Sequence, residues 1–245
     1  MRVFIDEIPV DLFTREDLFG RMTEWFATRR RSHQIVTLNA LMWQEARRNQ
    51  SFRQVLRRAD LVTVDGYGIE LCLRRNGHQT APRIAGIDLV RELLKLCADI
   101  GCPVYCYGGS KGLPLALHPN LVENWPGLNV AALRDGFGDS LAETEVMKEI
   151  LRLQPGLLLA GLGSPRQELF LADVLPRLEG TVGIGVGGAL DVLAGRKWEA
   201  PAGIRKRGWE WLYRMALEPR RIRHLPDLID FWFHQILFDS DRGDP

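Results

Sequence analysis

Cysteine is scarce in this chain of 245 residues, and its four copies (Cys72, Cys97, Cys102, Cys106) make no Cys-x-x-Cys pair and have no histidine partners at metal-ligand spacing. That excludes a zinc module and predicts free thiols in a reducing compartment, three of them inside apolar runs where a cysteine packs as a small hydrophobe. Net charge is nearly absent: 32 basic residues face 31 acidic ones, for a formal +1. No global field therefore advertises nucleic acid, and any electrostatic targeting must be local. No apolar run reaches the roughly 18 residues of a membrane span. The first residues, Met1-Arg2-Val3-Phe4-Ile5-Asp6, lack the basic and apolar regions of a secretory signal. The Walker loop is also missing, and the Gly108–Gly112 turn does not have the Gly-x-Gly-x-x-Gly spacing. What remains is an ordinary globular composition, 46% apolar and 26% charged, long enough for one α/β domain with an appendage or for two small domains.

Short apolar runs recur along the chain: Ile35–Leu38, Leu61–Val64, Val104–Tyr107, Leu128–Ala131, Leu157–Ala160 and Val182–Val186. Amphipathic stretches separate them, which predicts a parallel sheet with helices on both faces. Thr14-x-x-Asp17 is a capping signal before Leu18, Met22, Trp25 and Phe26, and Asp88 opens a second helical pattern through Leu89, Val90, Leu93 and Leu94. From about residue 189 the pattern is helix after helix, broken at Pro201, Pro219 and Pro226.

Ligands of open α/β sheets bind beyond the carboxyl ends of the strands. Five such ends carry polar or glycine-rich turns here: Thr37 and Asn39; Asp65-Gly66-Tyr67-Gly68; Gly108-Gly109-Ser110-Lys111-Gly112; Gly161 to Glu168; and Gly187-Gly188-Ala189-Leu190-Asp191. Asp65 suits a helix cap, a ribose ligand or a catalytic acid. The Gly108–Gly112 turn suits either a phosphate approached by backbone N–H groups or a tight turn that needs glycine for its own reasons. Gly163-Ser164-Pro165-Arg166-Gln167-Glu168 suits a loop presenting side chains while a helix begins, or a solvated first turn. Arg83, Gly86 and Asp88 suit a ligand set, or a surface arginine beside a capping aspartate.

The last fifth is the most distinctive segment. Four of the seven tryptophans (Trp198, Trp209, Trp211, Trp232) lie there, and from Gly203 to Phe238 seven Lys or Arg face four acids. Trp209, Leu212, Tyr213 and Ala216 share a helical face that suits core. The basic, aromatic bias suits a helix lying on anionic lipid, as do Leu228, Ile229, Phe231, Trp232, Phe233, Ile236 and Leu237 beyond it.

Taken in order, Thr37-x-Asn39, Asp65-Gly66-x-Gly68, Arg83-x-x-Gly86-x-Asp88, Gly163-x-Pro165-x-Gln167-Glu168, Val186-Gly187-Gly188-x-x-Asp191, Ala200-Pro201, and Glu210-Trp211-Leu212-Tyr213-Arg214 before Glu218-Pro219-x-Arg221 resemble the WecG/TagA/CpsF family of bacterial glycosyltransferases. The resemblance implies a Rossmann-like catalytic domain over residues 1–196 and a membrane-associating helical appendage over 197–245. It implies an inverting enzyme on the inner face of the cell membrane, moving a sugar (N-acetylmannosamine, its uronic acid or glucose) from a UDP-sugar to a polyprenyl-diphosphate-linked saccharide. Asp65 would be the general base and Arg214 and Arg221 would approach the diphosphate. Thr37, Asn39, Arg83, Gly108, Gly109, Gly163, Pro165, Gln167, Gly187, Gly188 and Asp191 would hold substrate. No cofactor and no metal are expected, since the only Asp-x-Asp is Asp239-Ser240-Asp241 near the end of the chain. The expected partners are the two substrates and an anionic membrane surface, not nucleic acid, and a homo-oligomer is compatible with the sequence. Two positions depart from the family pattern. Glu199 precedes Ala200-Pro201 where arginine is usual, and His224, beside Arg223, stands where a further arginine follows Arg221. The competing readings are a nucleotide-dependent oxidoreductase on a doubly wound sheet, disfavoured because the Gly108–Gly112 turn is no Gly-x-Gly-x-x-Gly fingerprint, and a nucleic-acid-binding module, disfavoured by the charge balance.

Overall fold

The computed structural model describes residues 1–78, 83–137 and 140–234, with backbone alone at residues 202, 206 and 219–221. Among the described residues eight strands form: β1 (Arg2–Ile5), β2 (Ile8–Asp11), β3 (His33–Leu38), β4 (Leu61–Val64), β5 (Val104–Gly108), β6 (Val130–Arg134), β7 (Leu157–Gly161) and β8 (Val182–Gly185). The last six are the six apolar runs, β6 lying a little later than its run. They make one sheet in the order β4-β3-β8-β7-β5-β6, with every neighbouring pair parallel.

Alternation along the strands sends side chains into two layers of core. Ile35, Leu61, Val104, Cys106, Leu157, Leu159, Val182 and Ile184 face one side, against α1 (Arg15–Thr28), α5 (Gly86–Ile100), α6 (Leu113–Asn124) and α9 (Ala189–Leu193). On the other side, Val36, Leu38, Val62 and Val64 meet α2 (Ala40–Arg48), α3 (Gln50–Arg58) and α4 (Tyr67–Arg75). Tyr105, Tyr107, Leu158 and Ala160 there meet α7 (Ser140–Leu153) and α8 (Arg166–Val174). Helices thus cover both faces of a Rossmann-like α/β sheet. The α1 cap forms as its sequence predicts, Thr14 accepting from the Asp17 N–H and Asp17 from the Thr14 N–H.

The first two strands, a hairpin absent from the sequence reading, lean on β4. Asp11 holds Arg2 through two hydrogen bonds of 2.9 and 2.7 Å and accepts the Val62 N–H at 2.8 Å.

After Gly195 the chain runs through α10 (Ala202–Lys206), α11 (Glu210–Leu217), a 3-10 turn (Pro219–His224) and α12 (Leu225–Trp232). The core reading fails for α11, which buries no residue: Trp209 is 54% exposed and Leu212 51%. The anchor lies instead in α12. Phe231 is fully buried beside Trp43, edge to face at 5.3 Å, within the cluster that backs β3 and β4. Gly68 makes that seat, since a Cβ there would come within 2.7 Å of the Phe231 ring. Gln44 and Arg48 add hydrogen bonds to Asp230 and Asp227, each of 2.6 Å. Of the final apolar stretch, Leu228 and Phe231 are buried and Ile229 and Phe233 exposed, while Ile236 and Leu237 fall outside the described residues. Phe231→Leu removes the edge-to-face contact and leaves a partly filled seat. It should cost about 1–2 kcal/mol, read as a lower urea midpoint at unchanged m-value.

Candidate active site

All six parallel strands deliver their carboxyl ends to one edge. The helices following the adjacent strands β3 and β8 leave to opposite faces, α2 packing in one core layer and α9 in the other. Such a divergence opens a crevice, and ligands of open sheets settle there. A cleft of about 780 Å³ occupies it, lined by Thr37, Asn39, Asp65, Gly109, Gly163, Gln167, Gly187, Gly188 and Asp191 from the sheet side. Lys197, Arg214, Arg223 and His224 line it from the segment beyond α9. A narrower and more apolar pocket of about 160 Å³ adjoins it, with Tyr67, Arg83, Glu210, Trp211, Met215 and Trp232 in its wall. Asn39, Leu41, Asp65, Arg214 and His224 line both compartments.

Asp65 is not a helix cap. Gly66 takes that position for α4 without a side-chain bond, and the Asp65 carboxylate instead accepts the Gly86 N–H at the start of α5, at 2.6 Å. Thr37 lies against the same spot, since a Cβ on Gly86 would sit 3.4 Å from the Thr37 hydroxyl and 3.7 Å from Asp65 Oδ1. Burial pushes the Asp65 carboxyl up to about 6; the Gly86 N–H and the charges of Arg214 and Arg83 oppose the rise, and Glu210 adds to it. A carboxyl that titrates there, between two guanidinium groups, is poised to exchange a proton near neutral pH.

Other residues of the sequence reading take roles inside the scaffold. Asn39 caps α2, its Oδ1 accepting the Met42 N–H at 3.1 Å, while its side chain still lines both compartments. Gln167 ties two loops: Oε1 accepts from the N–H groups of Gly163 at 3.2 Å and Gly187 at 2.9 Å, and Nε2 donates to Glu168 at 2.6 Å. Glu168 is no solvated first-turn residue; it is 1% exposed and burial raises its pKa. Pro165 directly precedes α8 and stands outside the cleft lining, where Ser164 takes its place.

The Gly108–Gly112 turn is not an open phosphate cradle. Gly109 N–H goes to the Gly161 carbonyl at 2.8 Å, Ser110 N–H to Asp191 at 3.2 Å and Gly112 N–H to Asp135 at 2.8 Å. Gly108, with φ +127°, is required by packing, because a Cβ would meet the Gly161 backbone at 2.4 Å. Gly109 alone of these two glycines reaches the cleft.

Arg83 is not a plain surface arginine, nor is Asp88 the cap of α5. Arg83 lines the pocket, and Asp88 sits inside the first turn of α5, paired with Arg205 at 3.1 Å, while the helix starts at Gly86. Arg214 Nη2 is held by Glu210 at 2.5 Å, one turn earlier on α11. Arg221 belongs to the 3-10 turn, but its side chain lies outside the described residues, as does Asp239-Ser240-Asp241. At the departure from the family pattern, Arg223 and His224 both line the large cleft, and Arg223 Nε donates to His224 Nε2 at 3.2 Å. Among the described residues no three His, Cys, Asp or Glu converge as a metal set.

Sequence reasoning gave no role to Glu210 or Tyr67 and read Trp211 only among the aromatics of a lipid-facing helix. The spacing Glu210-x-x-x-Arg214 was the available signal for the first, as an i,i+4 pair.

The family model for the WecG/TagA/CpsF glycosyl transferases matches residues 3–241. An N-acetylglucosaminyldiphosphoundecaprenol N-acetyl-beta-D-mannosaminyltransferase of Staphylococcus aureus is 32% identical over 199 residues, spanning 81% of this chain and 78% of its own. A protein of the same name from Bacillus spizizenii is 30% identical over 191 residues, spanning 78% and 74%. With strand-end motifs, crevice and family model in agreement over nearly the whole length, the chain belongs to the WecG/TagA/CpsF family and is a glycosyltransferase.

Proposed function

We propose that the enzyme transfers N-acetylmannosamine, with inversion, from a UDP-sugar to a polyprenyl-diphosphate-linked N-acetylglucosamine in cell-wall polysaccharide assembly. The observation that carries this reading is Asp65, set where the two compartments meet and flanked by Arg83 and Arg214. The polar large cleft suits a nucleotide sugar. The narrower pocket, with Tyr67, Trp211 and Trp232, suits an acceptor sugar stacked on aromatic faces and entering from a lipid surface. Similarity to transferases named for a β-mannosaminyl product supports the choice of sugar.

In the reaction, Asp65 takes the proton of the acceptor hydroxyl as its oxygen bonds to the anomeric carbon. The bond from that carbon to the diphosphate oxygen breaks on the opposite side, and UDP departs with the electron pair. A β product from an α-linked nucleotide sugar requires this single inverting displacement. Arg214 neutralises the charge that develops on the departing diphosphate, with Arg221 as its second contact, and Thr37, Asn39, Gly109, Gly163, Gln167, Gly187, Gly188 and Asp191 frame the donor. Gly108 and Pro165 support those loops from behind.

The membrane contact falls to the segment after residue 197. Trp198, Trp209, Leu212, Leu217, Ile222, Ile229 and Phe233 are exposed there, Trp198 by 83%, among basic residues. No described helix is long and apolar enough to cross a bilayer, so the reading is contact with an anionic surface.

A donor screen tests all of this, with the acceptor embedded in vesicles made with or without phosphatidylglycerol. Transfer from UDP-N-acetylmannosamine, faster on the anionic vesicles, is expected. Transfer only from UDP-glucose or the uronic acid would overturn the donor, and equal rates on both vesicles would overturn the surface contact.

A further inference from the structure

Glu199, the residue that breaks the family pattern, does not point into solvent. Arg91 on α5 grips it with both terminal nitrogens, Nη1 to Oε1 at 3.2 Å and Nη2 to Oε2 at 2.6 Å. Arg205 on α10 reaches the same carboxylate at 2.9 Å and, with the same Nη1, Asp88 at 3.1 Å. Four charges from α5, α10 and the segment leading into α10 thus close one loop, and Arg205 Nε is buried inside it without a partner. α10 is a five-residue helix; Ala200 before it is buried, and Gly208 after it seats on the Tyr67 ring.

The main-chain carbonyl of Arg205 is where this clasp meets the site. It accepts a short hydrogen bond from Arg83 Nη2, the guanidinium that lines the acceptor-side pocket with Asp65. Among the described residues Arg83 has one further partner in Glu70, a loose contact of 3.8 Å, while Glu70 is held at 2.7 Å by Arg74. The carbonyl of Arg205 is therefore the near contact that sets where the Arg83 charge stands.

We propose that Glu199 and Arg205 are positioning residues: their clasp with Arg91 and Asp88 fixes the Arg205 carbonyl, which holds the Arg83 guanidinium beside the Asp65 carboxylate. The inference rests on the reading of Asp65 as the base. Docking of residues 199–208 onto α5 then completes the electrostatic setting of Asp65. The groups facing Asp65 are the Gly86 N–H from α5, Thr37 from β3, Arg83, and Glu210 and Arg214 from α11. Of these, Arg83 is the group hydrogen-bonded to the clasp, while Glu199 acts on Arg214 through charge. An arginine at position 199 would face Arg91 and Arg205 with like charge, so the clasp is particular to a chain with glutamate there.

The test follows Asp65 itself. Its carboxyl resonance, assigned by its absence in Asp65→Asn, is titrated by 13C NMR in the wild type, Glu199→Ala, Glu199→Gln, Arg205→Ala and Glu199→Ala/Arg205→Ala, alongside kcat/KM for transfer. Loosening Arg83 should raise the Asp65 midpoint by about half a pH unit and lower kcat/KM at pH 6 by roughly twofold, as expected when a partly screened cation moves away from a carboxylate. Glu199→Gln should fall between the wild type and Glu199→Ala. The double variant should be no worse than the more affected single one, because both break one clasp. An unchanged midpoint with only a lower melting temperature would overturn the proposal by reducing the clasp to a structural tie. Additive effects in the double variant would overturn it by separating the two residues. A wild type that transfers from no UDP-sugar would sink the functional reading alone, since the NMR midpoints still decide whether the clasp acts on Asp65.

Discussion

Asp65→Asn is expected to produce a protein that is more stable at pH 7 and almost inactive. Its rate of sugar transfer should fall by about 10²- to 10⁴-fold, the usual contribution of a general base. The stability gain follows from burial. The folded carboxyl titrates at about 6, above the 3.8 of an ordinary aspartate. Between those values the folded protein holds a proton that the unfolded chain has released, so stability falls as pH rises from about 4 to about 6 and then levels. By pH 7 the charged carboxylate costs about 3 kcal/mol. Asparagine carries no charge to desolvate and can still accept the Gly86 N–H through its Oδ1. Its advantage should vanish near pH 4 and grow to a few kcal/mol at pH 7, read by urea melts across that range. Wild-type transfer should in turn rise through pH 6 as the base ionises. An asparagine variant that keeps full transfer would remove Asp65 from the chemistry, and one less stable than the wild type at pH 7 would remove the burial argument.

Gly68 shows why the family motif could be found in the sequence while its reason could not. The sequence places a glycine three residues after Asp65; only the structure shows that its missing side chain makes the seat for Phe231, 163 positions later. The six sheet strands were legible because buried parallel strands are continuous apolar runs, independent of partners. The N-terminal hairpin was not, because its turn residues Asp6 and Glu7 adopt φ of +45° and +64° without the glycine that ordinarily marks such a turn. Helical periodicity in Trp209, Leu212 and Tyr213 suggested core, yet α11 buries no residue, leaves Trp209 and Leu212 exposed and packs Met215 against the core behind β3 and β4. Glu168 and Arg83 show the same limit from the opposite side. Polar residues near loops read as solvated until tertiary contacts 134 residues away from the Glu168 carbonyl, and 122 from Arg83, enclose them.

Arg214 offers the sharpest separation of catalysis from folding. It stands on a helix with no buried residue, and its one described ion pair is with Glu210 within the same helix, a type worth about 0.3–0.5 kcal/mol. Arg214→Ala should therefore leave the melting temperature nearly unchanged. Transfer, by contrast, should drop by roughly 10²- to 10³-fold in kcat, because the departing diphosphate loses a cation preset to meet its charge. Lysine should rescue poorly, since a point charge cannot bridge two phosphate oxygens as a planar guanidinium can. The same substitution removes a cation that lowers the Asp65 pKa, so the acid limb of kcat/KM should move to higher pH. Glu210→Gln should move that limb the other way, because Glu210 raises the Asp65 pKa, and it frees Arg214 from the carboxylate that the incoming diphosphate must displace. Opposite shifts from two residues four positions apart cannot arise from a general loosening of α11. Shifts of the same sign, or a large loss of stability in Arg214→Ala with kcat preserved, would return this helix to a purely structural part.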